Sequence, residues 1–259
     1  MCLVVLAFDC HPRYRLILAG NRDEFHDRPA APLGWWEDVP TILAGRDLAA
    51  GGTWLGLDRS GRLGVITNFR DPAAHRPEGP SRGTLIPRFL SARAPAAAFA
   101  ASISAQVTDM SGFNLLLFDG EHLAITANQP APAARPLQPG VYGLSNHRLD
   151  TPWPKLRRSR EHFAGLVAQP RPTARQLMRA LRDRQPAPDD ELPDTGLGVA
   201  HERLLSAPFI VDPAYGTRCT TVVLVGRDGN IEVEECRYGR DGEPLARTAV
   251  AFNSLPAGT

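Results

Sequence analysis

A chain of 259 residues can hold one large domain or two small ones with a full apolar core. A formal net charge of +1 gives no ground for a nucleic-acid or acidic-membrane partner. No apolar run approaches the ~20 residues that a membrane span requires. Cys2, Cys10, Cys219 and Cys236 form no CxxC pair and no metal-ligand spacing, so no metal site is expected. Charge arrives at Asp9 and no basic segment precedes the first apolar run, so no secretory signal is expected and a cytoplasmic protein with reduced thiols is. Lys155 is the only lysine, and the Arg-, Ala- and Pro-rich composition matches a GC-rich bacterial genome.

The first apolar run, Cys2 to Phe8, is too continuous for a half-exposed strand and fits one covered on both faces. A turn over Asp9 to Arg13 leads to a second strand, Tyr14 to Ala19, followed by Gly20-Asn21-Arg22-Asp23-Glu24-Phe25. A Pro-rich link then reaches Trp35-Trp36. Strands are expected over 41–45 and 53–57, the latter in a hairpin with 62–67 that ends at Asn68. The segment Asp71 to Pro80 reads as a loop, Thr84 to Leu90 and Pro95 to Gln106 as helices, and 113–118 with 122–127 as a hairpin. Asn128 to Gly140 reads as a Pro/Ala loop, and Val141 to Ser145 as a strand ending at Asn146. A helix starts near Asp150-Thr151-Pro152-Trp153, with Lys155, Arg157, Arg158 and Arg160 on a solvated face. Another covers Thr173 to Arg182. Pro186 to Gly198 is an acidic loop, a lid or plain surface. One helical turn is expected at 201–205, a hairpin from Tyr215 to Cys236, and a last strand over 245–252. Strands, then helices, then strands, joined mostly as hairpins, predict an antiparallel α+β fold.

If the first two strands pair, the end of the second returns to Cys2. Removal of Met1 would expose a free α-amine on Cys2, and an amine of ordinary pKa about 7.7–8.0 can act as a base near neutrality. A nucleophile that carries its own base suits acyl transfer, and a nearby Arg favours thiolate. The alternative is that Cys2 is a buried small hydrophobe. Asn68 and Asn146 at strand ends can donate to a developing oxyanion, and Arg218 enters a late strand.

The blocks Met1-Cys2, Tyr14 to Phe25, Gly52-Thr53-Trp54-Leu55-Gly56, Thr67-Asn68-Phe69, Gly112 to Leu115, Tyr142 to Asn146 with Thr151-Pro152-Trp153, and Tyr215 to Arg218 together resemble the NRDE family, also called the transport-and-Golgi-organisation protein 2 family. That family in turn resembles N-terminal nucleophile (Ntn) hydrolases of the choloylglycine and penicillin V acylase type. The resemblance implies a single domain over 1–259, a four-layer αββα sandwich, and hydrolysis of an amide C–N bond. It assigns catalytic roles to Cys2, Arg22, Asp23, Asn68, Asn146 and Arg218. Asn21, Glu24, Trp36 and Trp54 are expected against the substrate, with a core edge as the alternative place for the Trp35-Trp36 pair. The hydrolases read Arg-Asn-x-Asp where this chain reads Asn21-Arg22-Asp23-Glu24, so Asp23 and Glu24 both stand as the carboxylate that orients the amine. The resemblance also implies the alternative of haem or acyl-CoA and lipid binding on the same fold, with haem as cargo or cofactor. Cys10-His11-Pro12 is then a candidate ligand segment as well as a turn.

Overall fold

The computed structural model describes residues 3–76, 78–107 and 109–255. In chain order the strands are β1 Leu3–Phe8, β2 Tyr14–Phe25, β3 Ala30–Trp35, β4 Ile42–Asp47, β5 Leu55–Asp58 and β6 Leu63–Asn68. Helices α1 Leu85–Ser91 and α2 Ala96–Ser104 follow, then β7 Phe113–Phe118, β8 Leu123–Ala127, β9 Ala133–Leu137 and β10 Gly140–Ser145. The chain continues with α3 Pro154–Val167, α4 Ala174–Ala180, α5 Val199–Leu205, β11 Tyr215–Gly226, β12 Asn230–Tyr238 and β13 Pro244–Asn253. It divides into two compact units: Met1–Asp27 with Arg70–Pro72 and Pro139–Ala251, and Arg28–Phe69 with Ala73–Gln138 and Phe252–Thr259. Among the described residues no helix is long and apolar enough to cross a membrane.

The first unit holds a six-stranded sheet in the order β10-β1-β2-β11-β12-β13. Each residue of β1 is buried, as its continuous apolar run requires. Strand alternation sorts its side chains to two faces. Leu3, Val5, Ala7, Ile17, Ala19, Val222 and Leu224 pack with Leu156 and Phe163 of α3 and Leu177 and Met178 of α4, so these helices cover one face. A capping box opens α4: Thr173 Oγ1 accepts from the Gln176 amide at 3.3 Å, and Gln176 Oε1 accepts from the Thr173 amide at 2.9 Å.

The second unit holds a seven-stranded meander, β3 through β9 in sequence order. Ile86 and Phe89 of α1 and Phe99 and Ile103 of α2 pack on Leu115, Leu117, Ile42 and Ile66 of its strands.

Several local expectations are corrected. β2 does not stop at Ala19: the Asn21–Glu24 block lies inside it, because β11 pairs with it as far as Tyr215↔Phe25. The link before Trp35 and the loop after Asn128 contain strands β3 and β9. The third long helix starts at Pro154 with Trp153 at its cap; Asp150 takes φ 60° and accepts from the Gly143 amide at 2.7 Å instead. Lys155 is buried, at 2% exposure, so it does not belong to the solvated arginine face.

Candidate active site

The site is built where β1 enters its sheet. Leu3 stands opposite Asn21 of β2 on one side and Ser145 of β10 on the other. Cys2, the nucleophile expected from sequence, lies outside the described residues. Asn21 in turn faces Thr220 of β11, Arg22 faces Cys219, and Asp23 faces Thr217.

Alternation gives these residues different surroundings. Asn21 and Asp23 share the helix-covered face with Leu3 and Ala19. Asn21 is fully buried; its Nδ2 donates to the carbonyls of Leu181 (3.0 Å) and Pro208 (2.8 Å), and its Oδ1 accepts from Thr220 Oγ1 at 2.7 Å. These bonds occupy it as a structural group, which corrects its expected place against substrate. Asp23 is also buried, and its Oδ1 accepts from Thr217 Oγ1 at 2.7 Å while that hydroxyl accepts from the Ile210 amide at 2.9 Å. Its carboxylate is therefore held in one orientation.

Arg22 and Glu24 take the opposite face. The buried Arg22 guanidinium lies 3.7 Å from Glu24 Oε2, and Glu24 Oε1 accepts from the Phe25 amide at 2.9 Å. Arg218 joins them through a register shift between Thr217 and Cys219, which leaves it as the extra residue of a β-bulge. Bulges re-aim side chains, and this one turns Arg218 so that its Nη1 donates to the Phe25 carbonyl at 2.7 Å. Burial, then the charges of Arg22 and Arg237, push the Arg218 pKa below its ordinary value, while Cys219 and Glu24 act against the shift. Sequence reasoning missed Cys219 and Glu235 here. Burial first, then Glu235, push the Cys219 thiol well above its ordinary pKa, which keeps it protonated and unreactive. Thr217, which anchors Asp23, was visible only as part of the Tyr215–Arg218 block.

On the β10 side, Asn146 is buried directly after Ser145; its carbonyl accepts from the Arg70 amide at 2.6 Å, and its Oδ1 lies 3.5 Å from Ser145 Oγ. Arg70 forms a buried ion pair with Glu202 of α5 at 2.7 Å and stacks over Trp153. Glu202 Oε1 accepts from the Thr195 amide (3.0 Å) and from its hydroxyl, so the acidic loop is tied to α5. His147 Nδ1 meets Thr151 Oγ1 at 2.9 Å.

Asn68 and the two expected tryptophans belong to the second unit. Asn68 is the exposed last residue of β6, opposite Phe113 in the second unit. Trp36 and Trp54 belong to that unit as well. Trp36 donates to the Ala44 carbonyl at 3.3 Å, lies under Arg46, and lines a cavity of about 350 Å³ with Trp35 and Asp38. Trp54 does not line it; its ring packs over Gly45, leaving no room there for a Cβ. His11 uses both ring nitrogens: Nδ1 accepts from the Arg13 and Tyr14 amides, and Nε2 donates to the Gln169 carbonyl at 3.1 Å. Cys10-His11-Pro12 is thus a turn. Among the described residues no cluster of His, Cys, Asp and Glu could hold a metal ion.

Two antiparallel sheets with their helices form an α+β fold of the Ntn-hydrolase kind. A solved *Caenorhabditis elegans* N-acylethanolamine-hydrolyzing acid amidase ortholog has a similar fold, with a TM-score of 0.51 at 10% identity over 86% of this chain and 92% of that one. The family profile "Transport and Golgi organisation 2" matches residues 1–240, and the chain belongs to that family. The mouse Transport and Golgi organization 2 homolog is 33% identical over 91% of this chain and 92% of its own length. The *Drosophila melanogaster* Transport and Golgi organization protein 2 is 27% identical over 93% and 94%.

Proposed function

We propose that the protein is an Ntn amidohydrolase that cleaves the C–N bond of a small-molecule amide with Cys2. The observation that carries this is the convergence of Arg22, Glu24, Asp23 and Arg218 on the strand positions next to the start of β1. Leu3, the first described residue of β1, stands opposite Asn21, and Arg22 and Asp23 follow directly on β2. The Arg22 charge, shared with Arg218, favours the thiolate of Cys2. In this reading the carboxylate of Asp23, fixed by Thr217, orients the α-amine of Cys2. The thiolate adds to the amide carbon. The α-amine takes the thiol proton and passes it to the leaving nitrogen as the C–N bond breaks. A thioester remains, and water hydrolyses it with the same amine as base. Asn146, also in this unit, donates to the oxyanion. The family membership and the likeness of fold to an amide hydrolase support the reading.

The test is iodoacetamide alkylation across neutral pH, with fragmentation mass spectrometry to separate Cys2 from Cys10. Cys10 is an internal reference, because burial and Asp9 push its pKa up. The reading expects Met1 to be absent, Cys2 to label rapidly well below its ordinary pKa of about 8.5, and Cys2→Ala to lose all turnover in a screen of acyl aminocoumarin amides. Retained Met1, or a Cys2 that labels no faster than Cys10, would overturn it.

A further inference from the structure

A second cavity, of about 440 Å³, opens between α4 and strands β12 and β13. Its volume is that of a small-molecule site. Arg175, Arg179, Arg182 and Arg247 line it, together with Tyr238 and Leu245. Both Tyr238 and its neighbour Cys236, which packs against the α3/α4 core, belong to the helix-covered side of the sheet, so the cavity is separate from the Arg22 face.

The charges in this cavity are unbalanced. Arg247 pairs with Glu234. Arg182 has a neutral partner: its Nη2 donates to the Gly242 carbonyl at 3.1 Å, and its guanidinium stacks near the rings of Tyr238 (5.3 Å) and Phe209 (5.5 Å). Arg175 and Arg179 make no ion pair among the described residues and are exposed. They stand four residues apart on one short helix, where like charges repel. Three guanidiniums thus face one space without a carboxylate, and a planar guanidinium matches phosphate oxygens through paired N–H donors. The same space has apolar walls, with Met178 on one side and Leu245, which is 70% exposed, on the other.

We infer that this cavity binds a small organic phosphate, its dianion held by Arg175, Arg179 and Arg182 and its apolar body against Tyr238 and Leu245. The inference is independent of hydrolysis by Cys2. The probe is phenyl phosphate, titrated calorimetrically at low salt, with inorganic phosphate and phenol as its two halves. Phenyl phosphate binds at one site and more tightly than either half. Its Kd rises at least about tenfold in Arg175→Ala/Arg179→Ala, since each charge-assisted contact is worth roughly that factor. Both changes are at exposed helix positions, where Ala is the better helix former, so the melting temperature holds. Leu245→Ser weakens phenyl phosphate but leaves inorganic phosphate unchanged, and Cys2→Ala changes neither. No saturable heat up to about 5 mM, or equal affinity in the double arginine variant, overturns the inference.

Discussion

Adjacent residues of an extended strand point to opposite faces, so Asp23 and Glu24 serve different neighbours. Glu24 has a side chain 25% exposed and sits beside Arg22, where it moderates the arginine's charge. Asp23 is buried and fixed by Thr217, the surroundings a group needs if it is to hold an amine in one geometry. The two are separable by isosteric neutral replacements. Asp23→Asn keeps an Oδ1 for the Thr217 hydroxyl, so stability changes by less than about 1 kcal/mol, whereas amide turnover falls by about 10²-fold or more. Glu24→Gln lowers turnover by less than about tenfold. Rates and urea midpoints on both variants check this, and the opposite ranking would move the amine-orienting role to Glu24. Asn21, in the same block, reads in sequence like its neighbours. Its role differs because alternation delivers it to the carbonyls of Leu181 and Pro208, a long-range arrangement that no local pattern encodes.

At the scale of elements, the hairpins and the first two helices were legible because alternation, turn residues and apolar runs agreed at each. The two strands missed, β3 and β9, are the two edges of the seven-stranded meander. Each contains a proline, Pro32 and Pro136. A proline lacks an N–H, which in a central strand would be needed by one neighbour or the other, but on an edge strand every other N–H position faces away from the sheet, so the residue that argued for a loop is tolerated there. The candidate site was legible in its strand positions and not in its faces; the bulge that presents Arg218 has no local signature in Tyr215-Gly216-Thr217-Arg218. Glycine spacing hides a similar long-range contact. Gly52 lies against the backbone of Gly83, and a Cβ at 52 would stand 2.5 Å from the Gly83 carbonyl carbon. The Thr53 amide also donates to the Gly83 carbonyl, at 3.1 Å, so the two segments cannot simply separate. Gly52→Ala is expected to cost about 1–3 kcal/mol in urea unfolding. Gly34→Ala, on the open edge strand β3 with nothing near its Cβ, stays within about 0.5 kcal/mol.

The whole molecule answers to pH through at least one internal contact. His147 lies beside Trp153, whose ring also carries Arg70, and its Nδ1 meets Thr151 Oγ1. Burial first, then the charges of Arg148 and Arg70, push its pKa below the ordinary value of 6.5. The folded protein therefore disfavours the protonated ring. Between the lowered folded pKa and about 6.5 the unfolded chain binds more protons, so stability rises with pH there. The contribution is complete above that window and is lost as pH falls through the folded pKa. Urea midpoints measured at pH 7.5 and 5.5 should show a loss on acidification that is smaller in His147→Gln, which retains a donor for Thr151 Oγ1 and cannot charge. Arg70 is committed to Glu202 in a buried pair and cannot move away from a protonated ring without leaving that carboxylate behind, which is why a single histidine reaches the stability of its unit. An equal loss in both proteins would show that the ring is solvated well enough to titrate as it does in the unfolded chain.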